Sequence, residues 1–138
     1  MRRIAAGLIG IMIALVLVMV IESIGHSIYP PPADLDLNDL ETLAAHIEKL
    51  PLGAFVFVLA AWALGAYGGG VVAGVIARAR PFLMASIVGG LIMAGTIAQL
   101  VLIPHPLWFS VTGIIAIVVM TLLAGVTVKA FRGKSSES

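Results

Sequence analysis

The sequence contains no cysteine and few charged residues. Of its 138 residues, 11% are charged and 61% are apolar, whereas soluble domains have about 25% and about 45–50%. Without cysteine there is no disulfide, no thiolate metal ligand and no cysteine nucleophile. The net charge of +1 offers no basic field to a polyanion, which argues against nucleic acid as a partner. The mean hydropathy of +1.15 excludes a disordered chain and an ordinary water-soluble globule.

Long uncharged runs predict four membrane-spanning helices. A helix needs about 20 apolar residues to cross a hydrocarbon core of about 30 Å. No Asp, Glu, Lys or Arg occurs in residues 4–21, 50–77 or 81–128. The last run is too long for one crossing, and Pro104 and Pro106 divide it because proline interrupts helices.

We therefore predict an all-α integral membrane protein, a four-helix bundle that forms a single membrane domain over residues 1–138. A cleaved signal peptide is the alternative for the first span, but its apolar run exceeds the usual 7–15 residues, so we expect the span to be retained. The predicted spans are residues 4–28, 51–77, 82–103 and 107–128, followed by a cytoplasmic tail over residues 129–138.

The distribution of basic residues predicts the orientation. Lys49 is the only cation on one side of the four-span arrangement, where the acidic residues of the first loop also lie. On the other side are Arg2, Arg3, Arg78, Arg80, Lys129, Arg132 and Lys134. Because basic loops stay in the cytoplasm, we predict a multi-pass protein of the inner or plasma membrane with both termini cytoplasmic.

The first loop contains the pattern of a short amphipathic helix. Apolar residues at positions 40, 43, 44, 47 and 50 have helical spacing. Asn38 followed by Glu41 resembles a capping arrangement. We predict a helix over residues 38–50 that lies on the outer surface and covers the mouth of the bundle as a lid.

The second span is rich in small residues. Gly65 and Gly69, and likewise Gly70 and Gly74, form G-x-x-x-G pairs, which let helix backbones approach closely in lipid. We predict helix packing at these four glycines, either within one chain or as the seam of a homo-oligomer or larger membrane complex. The three glycines at 68–70 leave a second interpretation open, a broken helix that lines a transport site.

The polar residues of the predicted outer side form the candidate site. Glu22 and His26 are spaced i, i+4 on one face of the first span. His105 lies in the turn between the last two spans, Gln99 lies before it, and His46 borders the apolar stripe of the lid. An ionisable residue at membrane depth is a functional-site hypothesis by default.

Several uses of this group are compatible with its chemistry. Zinc could bind His26, His46, His105 and Glu22, or His26 and His105 could be the axial ligands of a haem. Glu22 and His26 could be an acid–base pair that acts on a lipid head group, or Glu22 could be the proton or cation site of a transporter. The structural alternative is a hydrogen-bonded Glu22–His26 pair that tethers the lid.

Motifs of catalysis are absent from the sequence. It has no phosphate loop, nucleophile elbow or dinucleotide fingerprint, so we name no catalytic residue, metal or cofactor and favour a non-enzymatic role. The leading hypothesis is an accessory or structural membrane protein that acts through helix–helix contacts, with the lipid bilayer as its surroundings. The alternatives are a small oligomeric transporter that uses Glu22, and an outer-face metal, haem or lipid-head-group site.

Overall fold

A computed structural model describes residues 1–36, 38–78 and 80–135, and its regular secondary structure over these ranges is helical throughout. Four helices are long and apolar enough to cross a membrane, and the fifth is short. The helices are α1 (Arg2–Ile28), α2 (Leu40–Glu48), α3 (Leu52–Ala77), α4 (Pro81–Leu102) and α5 (Leu107–Ser135). The all-helical architecture predicted from hydropathy is therefore confirmed.

Most helix ends fall within two residues of the predicted spans, but the end of α5 does not. The last span was predicted to end at residue 128 and to be followed by a tail, whereas α5 continues to Ser135. One reason for the longer helix is a contact with α3, in which the Arg132 guanidinium donates a hydrogen bond to the main-chain oxygen of Gly74. Residues 136–138 of the predicted tail lie outside the described residues.

The central helix is α3. It packs along α1, α4 and α5, while α4 also packs on α5 and contacts α1 over a shorter stretch. Its buried residues are mostly alanine and glycine, and small side chains allow three neighbours to approach one helix. The small-residue composition of this segment thus explains its central position.

A close backbone contact joins α1 and α3. A methyl group added to Gly69 would lie 2.5 Å from the main-chain oxygen of Gly10 and 2.7 Å from Cβ of Ala14. One turn earlier, a Cβ on Gly65 would lie 2.8 Å from a methyl group of Val18. The first G-x-x-x-G pair therefore packs against α1 within the same chain.

The second glycine pair faces the other two long helices. A Cβ on Gly70 would meet Ala124 of α5 at 3.0 Å and Ala85 of α4 at 3.3 Å. A Cβ on Gly74 would meet Val128 of α5 at 2.9 Å. The space beside both glycine pairs is thus occupied by other helices of the same chain.

No break interrupts α3 at its three consecutive glycines. Residues 68–70 are helical, and no described glycine has a positive φ. The broken-helix interpretation is therefore wrong for this structure. The physical reason is that neighbouring helices enclose this stretch, and each backbone group retains its partner within the helix.

Two arginines cap the C-terminal end of α3. Arg2 Nε donates to the Ile76 oxygen at 2.9 Å, and Arg132 donates to the Gly74 oxygen. The last four carbonyls of a helix lack intrahelical donors and carry its negative dipole end. The arginines thus satisfy these carbonyls and join α1 and α5 to α3 at what we call the arginine end of the bundle. The opposite end, next to α2, is the α2 end.

The helix predicted in the first loop is present as α2, but its cap differs from the prediction. The N-cap is Asp39 rather than Asn38, and Glu41 N–H donates to Asp39 Oδ1 at 3.1 Å. Asn38 instead bonds to Asp36: the main-chain N–H of Asn38 donates to Asp36 Oδ1 at 2.9 Å. Hydrogen bonds from the Thr42 hydroxyl and the Glu41 N–H lower the pKa of Asp39, so the cap weakens as the pH falls through that lowered pKa.

Replacing Gly69 by Ala tests the contact between α1 and α3. We expect Gly69→Ala to destabilise the protein by about 1–3 kcal/mol, the usual cost of overpacking a rigid contact, and to lower its melting temperature in detergent. Gly95→Ala is the control, because a Cβ at Gly95 meets nothing within 4 Å. A Gly69→Ala variant that melts at or above the temperature of the wild type would contradict this packing.

Candidate functional site

A cavity of about 310 Å³ lies at the α2 end of the bundle. Its walls come from α1, α2, α3, α4, α5 and the turn between α4 and α5. All five predicted site residues line it: Glu22, His26, His46, Gln99 and His105. Residues separated by up to 83 positions are thereby brought to one enclosure.

Glu22 is the acidic side chain of this cavity. It is half-buried and lies six residues before the end of α1, which is about 9 Å along a helix. The Trp62 side chain of α3 lies close to its carboxylate. Trp62 itself is buried against Phe109, with ring centroids 5.3 Å apart, so one neighbour of the carboxylate is a rigidly packed ring.

His26 is held by the main chain of its own helix. Its Nδ1 lies 2.8 Å from the main-chain oxygen of Glu22. The predicted Glu22–His26 pair thus shares one face of α1, but this hydrogen bond goes to the carbonyl rather than to the carboxylate. Because a carbonyl oxygen only accepts, Nδ1 carries the proton, and Nε2 of the neutral ring is left as an acceptor.

His105 is fixed in the same manner in the turn between α4 and α5. Its Nδ1 lies 2.7 Å from the main-chain oxygen of Ile103, which again leaves Nε2 as the acceptor. The ring stacks on Phe109, with centroids 5.1 Å apart and planes at 16°. His105 is therefore half-buried.

The two remaining polar residues come from opposite walls. Gln99 lies in the last turn of α4, and its main-chain oxygen accepts from Ile103 N–H at 2.9 Å. His46 lies on α2, next to the buried Ile47. Both side chains are half-buried.

The described residues do not assemble the predicted metal site. In residues 1–36, 38–78 and 80–135, no three His, Cys, Asp or Glu side chains are close enough to hold a metal ion. The four-ligand arrangement of His26, His46, His105 and Glu22 is therefore not formed. The haem, acid–base and lipid-head-group uses stay predictions.

An aromatic wall completes the cavity, and the sequence analysis missed it. Phe55 and Phe109 are almost fully buried, with ring centroids 5.1 Å apart. Tyr29 and Phe57 line the cavity too, with ring centroids 6.3 Å apart. The available signal was the concentration of Phe55, Phe57 and Phe109 at the helix ends that adjoin the polar residues.

Comparisons with known proteins give no relative for this chain. No protein family, no curated protein and no solved structure matches it.

Proposed function

We propose that the protein binds a small amphipathic molecule in the cavity at the α2 end. The observation that supports this is the convergence of five polar side chains on one enclosure with an aromatic wall. Ligand sites are typically concave and apolar, with a few polar groups that orient the ligand. A volume of about 310 Å³ is at the lower end of the usual range, about 300–1,000 Å³, and fits a small ligand.

A binding site accounts for the geometry better than a transport pathway through the bundle. Below Glu22 the helices are in close contact, first at Trp62 and then at Gly65 and Gly69. A transporter that uses Glu22 would have to separate α1 from α3 where their backbones are nearest. The proposed ligand therefore enters and leaves at the α2 end.

We propose that α2 is the lid of this site. Leu43, His46 and Ile47 of α2 line the cavity, and Ile47 is buried in the hydrophobic core. Within the described part of the chain, no Cα atom of α2 lies within 8 Å of one in another helix. Its helix axis is thus not packed closely on another helix, which permits α2 to move without disturbing the long helices.

We also propose that the bundle spans the inner or plasma membrane, with both termini and the arginine end in the cytoplasm. Large apolar side chains are exposed along the four long helices, including Met12, Met19 and Val16 of α1, and hydrocarbon would cover them. The basic residues at the arginine end support this orientation, because such residues stay in the cytoplasm.

The role through helix contacts has less support than ligand binding. The glycine pairs of α3 suggested this role, but α1, α4 and α5 of the same chain already pack against them. A homo-oligomer or a larger complex would therefore need a different surface.

Filling the cavity tests the proposed binding function. Ala54 lines the cavity, so we expect Ala54→Trp to occupy the space of a ligand. Thermal stability in lipid nanodiscs is measured with 4-phenylbutanol and with 4-phenylbutylamine. At a probe concentration of 100 times Kd, the free energy of unfolding of the wild type should rise by about 2.7 kcal/mol. That of Ala54→Trp should not change.

Ala98→Trp is the matched control, because Ala98 is an exposed residue of α4 near the α2 end of the bundle and does not line the cavity. It should respond as the wild type does. A wild type that neither probe stabilises, or an Ala54→Trp variant that responds fully, would contradict the binding function.

Reporter fusions test the proposed topology. Because basic loops stay in the cytoplasm, alkaline phosphatase fused after residue 40 should be active, and fusions after residues 80 and 134 should be inactive. Fusions of a fluorescent protein that folds in the cytoplasm should give the opposite pattern. An active phosphatase after residue 80 would contradict the four-span orientation.

A further inference from the structure

We infer that the ligand of this cavity is an amphipathic organic cation, a protonated primary or secondary amine that carries an apolar body. This inference rests on the proposed binding function and names the ligand class of the same site. Three features of the cavity support it: the sign of its charge, the direction of its hydrogen bonds and the position of its aromatic rings.

The described lining of the cavity contains one acidic side chain and no permanent cation. Glu22 is its one carboxylate, and none of the described lining residues is a lysine or an arginine. The remaining titratable side chains around the cavity are His26, His46, His105 and Tyr29. An anionic ligand would meet Glu22 with no cation to offset it, whereas an ammonium group would pair with the carboxylate.

Three hydrogen-bonding groups of the cavity act as acceptors. The Nδ1–H groups of His26 and His105 are already bonded to main-chain oxygens, so each neutral ring offers Nε2 as an acceptor. The Glu22 carboxylate has about four acceptor positions, whereas Gln99, His46 and Tyr29, which also line the cavity, can donate as well as accept. A ligand group that bonds to Glu22 and to the two Nε2 atoms must therefore donate, which a protonated amine does and a quaternary ammonium does not.

The aromatic wall suits both parts of such a ligand. Phe55, Phe57 and Phe109 line the same cavity as Glu22. Aromatic faces attract cations within about 6 Å of the ring centroid, and their apolar area accommodates a hydrocarbon body. A metal cation has no apolar body to cover this wall, and its ligands are not assembled among the described residues.

The experiment compares four probes that share one apolar body and differ in the head group. They are 4-phenylbutylamine, 4-phenylbutanol, 4-phenylbutyrate and 4-phenylbutyltrimethylammonium. Binding to the full chain in nanodiscs is measured by calorimetry near neutral pH, with the heat of empty nanodiscs subtracted. We expect the amine to bind at least about tenfold more tightly than the alcohol, because hydrogen bonds to charged groups are worth at least that factor.

The matched variants are Glu22→Gln and Glu48→Gln. Glu22→Gln should remove the preference for the amine and leave the affinity for the alcohol within about twofold, because only the charged pair is lost. Glu48→Gln should keep the preference, since Glu48 is an exposed residue of α2 outside this cavity. The comparison of probes on the wild type tests the charge of the site even if Glu22→Gln does not fold.

The outcomes separate the ligand class from the binding function. If the butyrate or the trimethylammonium probe binds as tightly as the amine, or if Glu22→Gln keeps the preference, the inferred ligand class is wrong. If the alcohol binds as tightly as the amine and Ala54→Trp abolishes both, the binding function stands and the ligand class is overturned. If none of the four probes binds, both are overturned.

Discussion

The backbones of α1 and α3 approach so closely at Gly10 and Gly69 that there is no room for an added methyl group. The other long helices are arranged around this pair, with α4 and α5 against the remaining small-residue surface of α3. In lipid, where little hydrophobic force drives helices together, such close packing supplies the association energy. The bundle is therefore tightly packed where its residues are small.

Residue size changes along α3 between the arginine end and the cavity. Towards the arginine end α3 has glycine and alanine, whereas at the α2 end it has Phe55, Phe57 and Trp62. Gly25 of α1 gives room to Phe57, since a Cβ there would lie 2.8 Å from that side chain. Phe55 and Phe57 line the cavity together with Glu22 and the histidines. The close glycine packing and the aromatic cavity thus lie at different levels of one helix.

The long helices were predictable because hydropathy and proline positions depend on composition alone. The polar residues of the site were predictable for a related reason, since an ionisable group within an apolar segment is costly. The aromatic wall was not predictable, because the sequence does not show which way a phenylalanine in an apolar segment faces. The cap of α2 was misplaced by one residue, since Asn38 and Asp39 are both good caps and the turn at Asp36 decides between them. The length of α5 depends on Arg132 and an oxygen of another helix, a contact with no local pattern.

The central claim is that α3 presents a water-accessible cavity at one end and a lipid-covered surface a few turns away. Because the chain has no cysteine, single cysteines test this directly through their reaction rate with a water-soluble methanethiosulfonate reagent in nanodiscs. Ala54→Cys lies in the cavity wall, whereas Leu64→Cys replaces a side chain that is 43% exposed on the bundle surface. The account predicts rapid modification at position 54, slowed by 4-phenylbutylamine, and negligible modification at position 64, because the reactive thiolate does not form in hydrocarbon. Equal rates at the two positions, or no reaction at position 54, would contradict it.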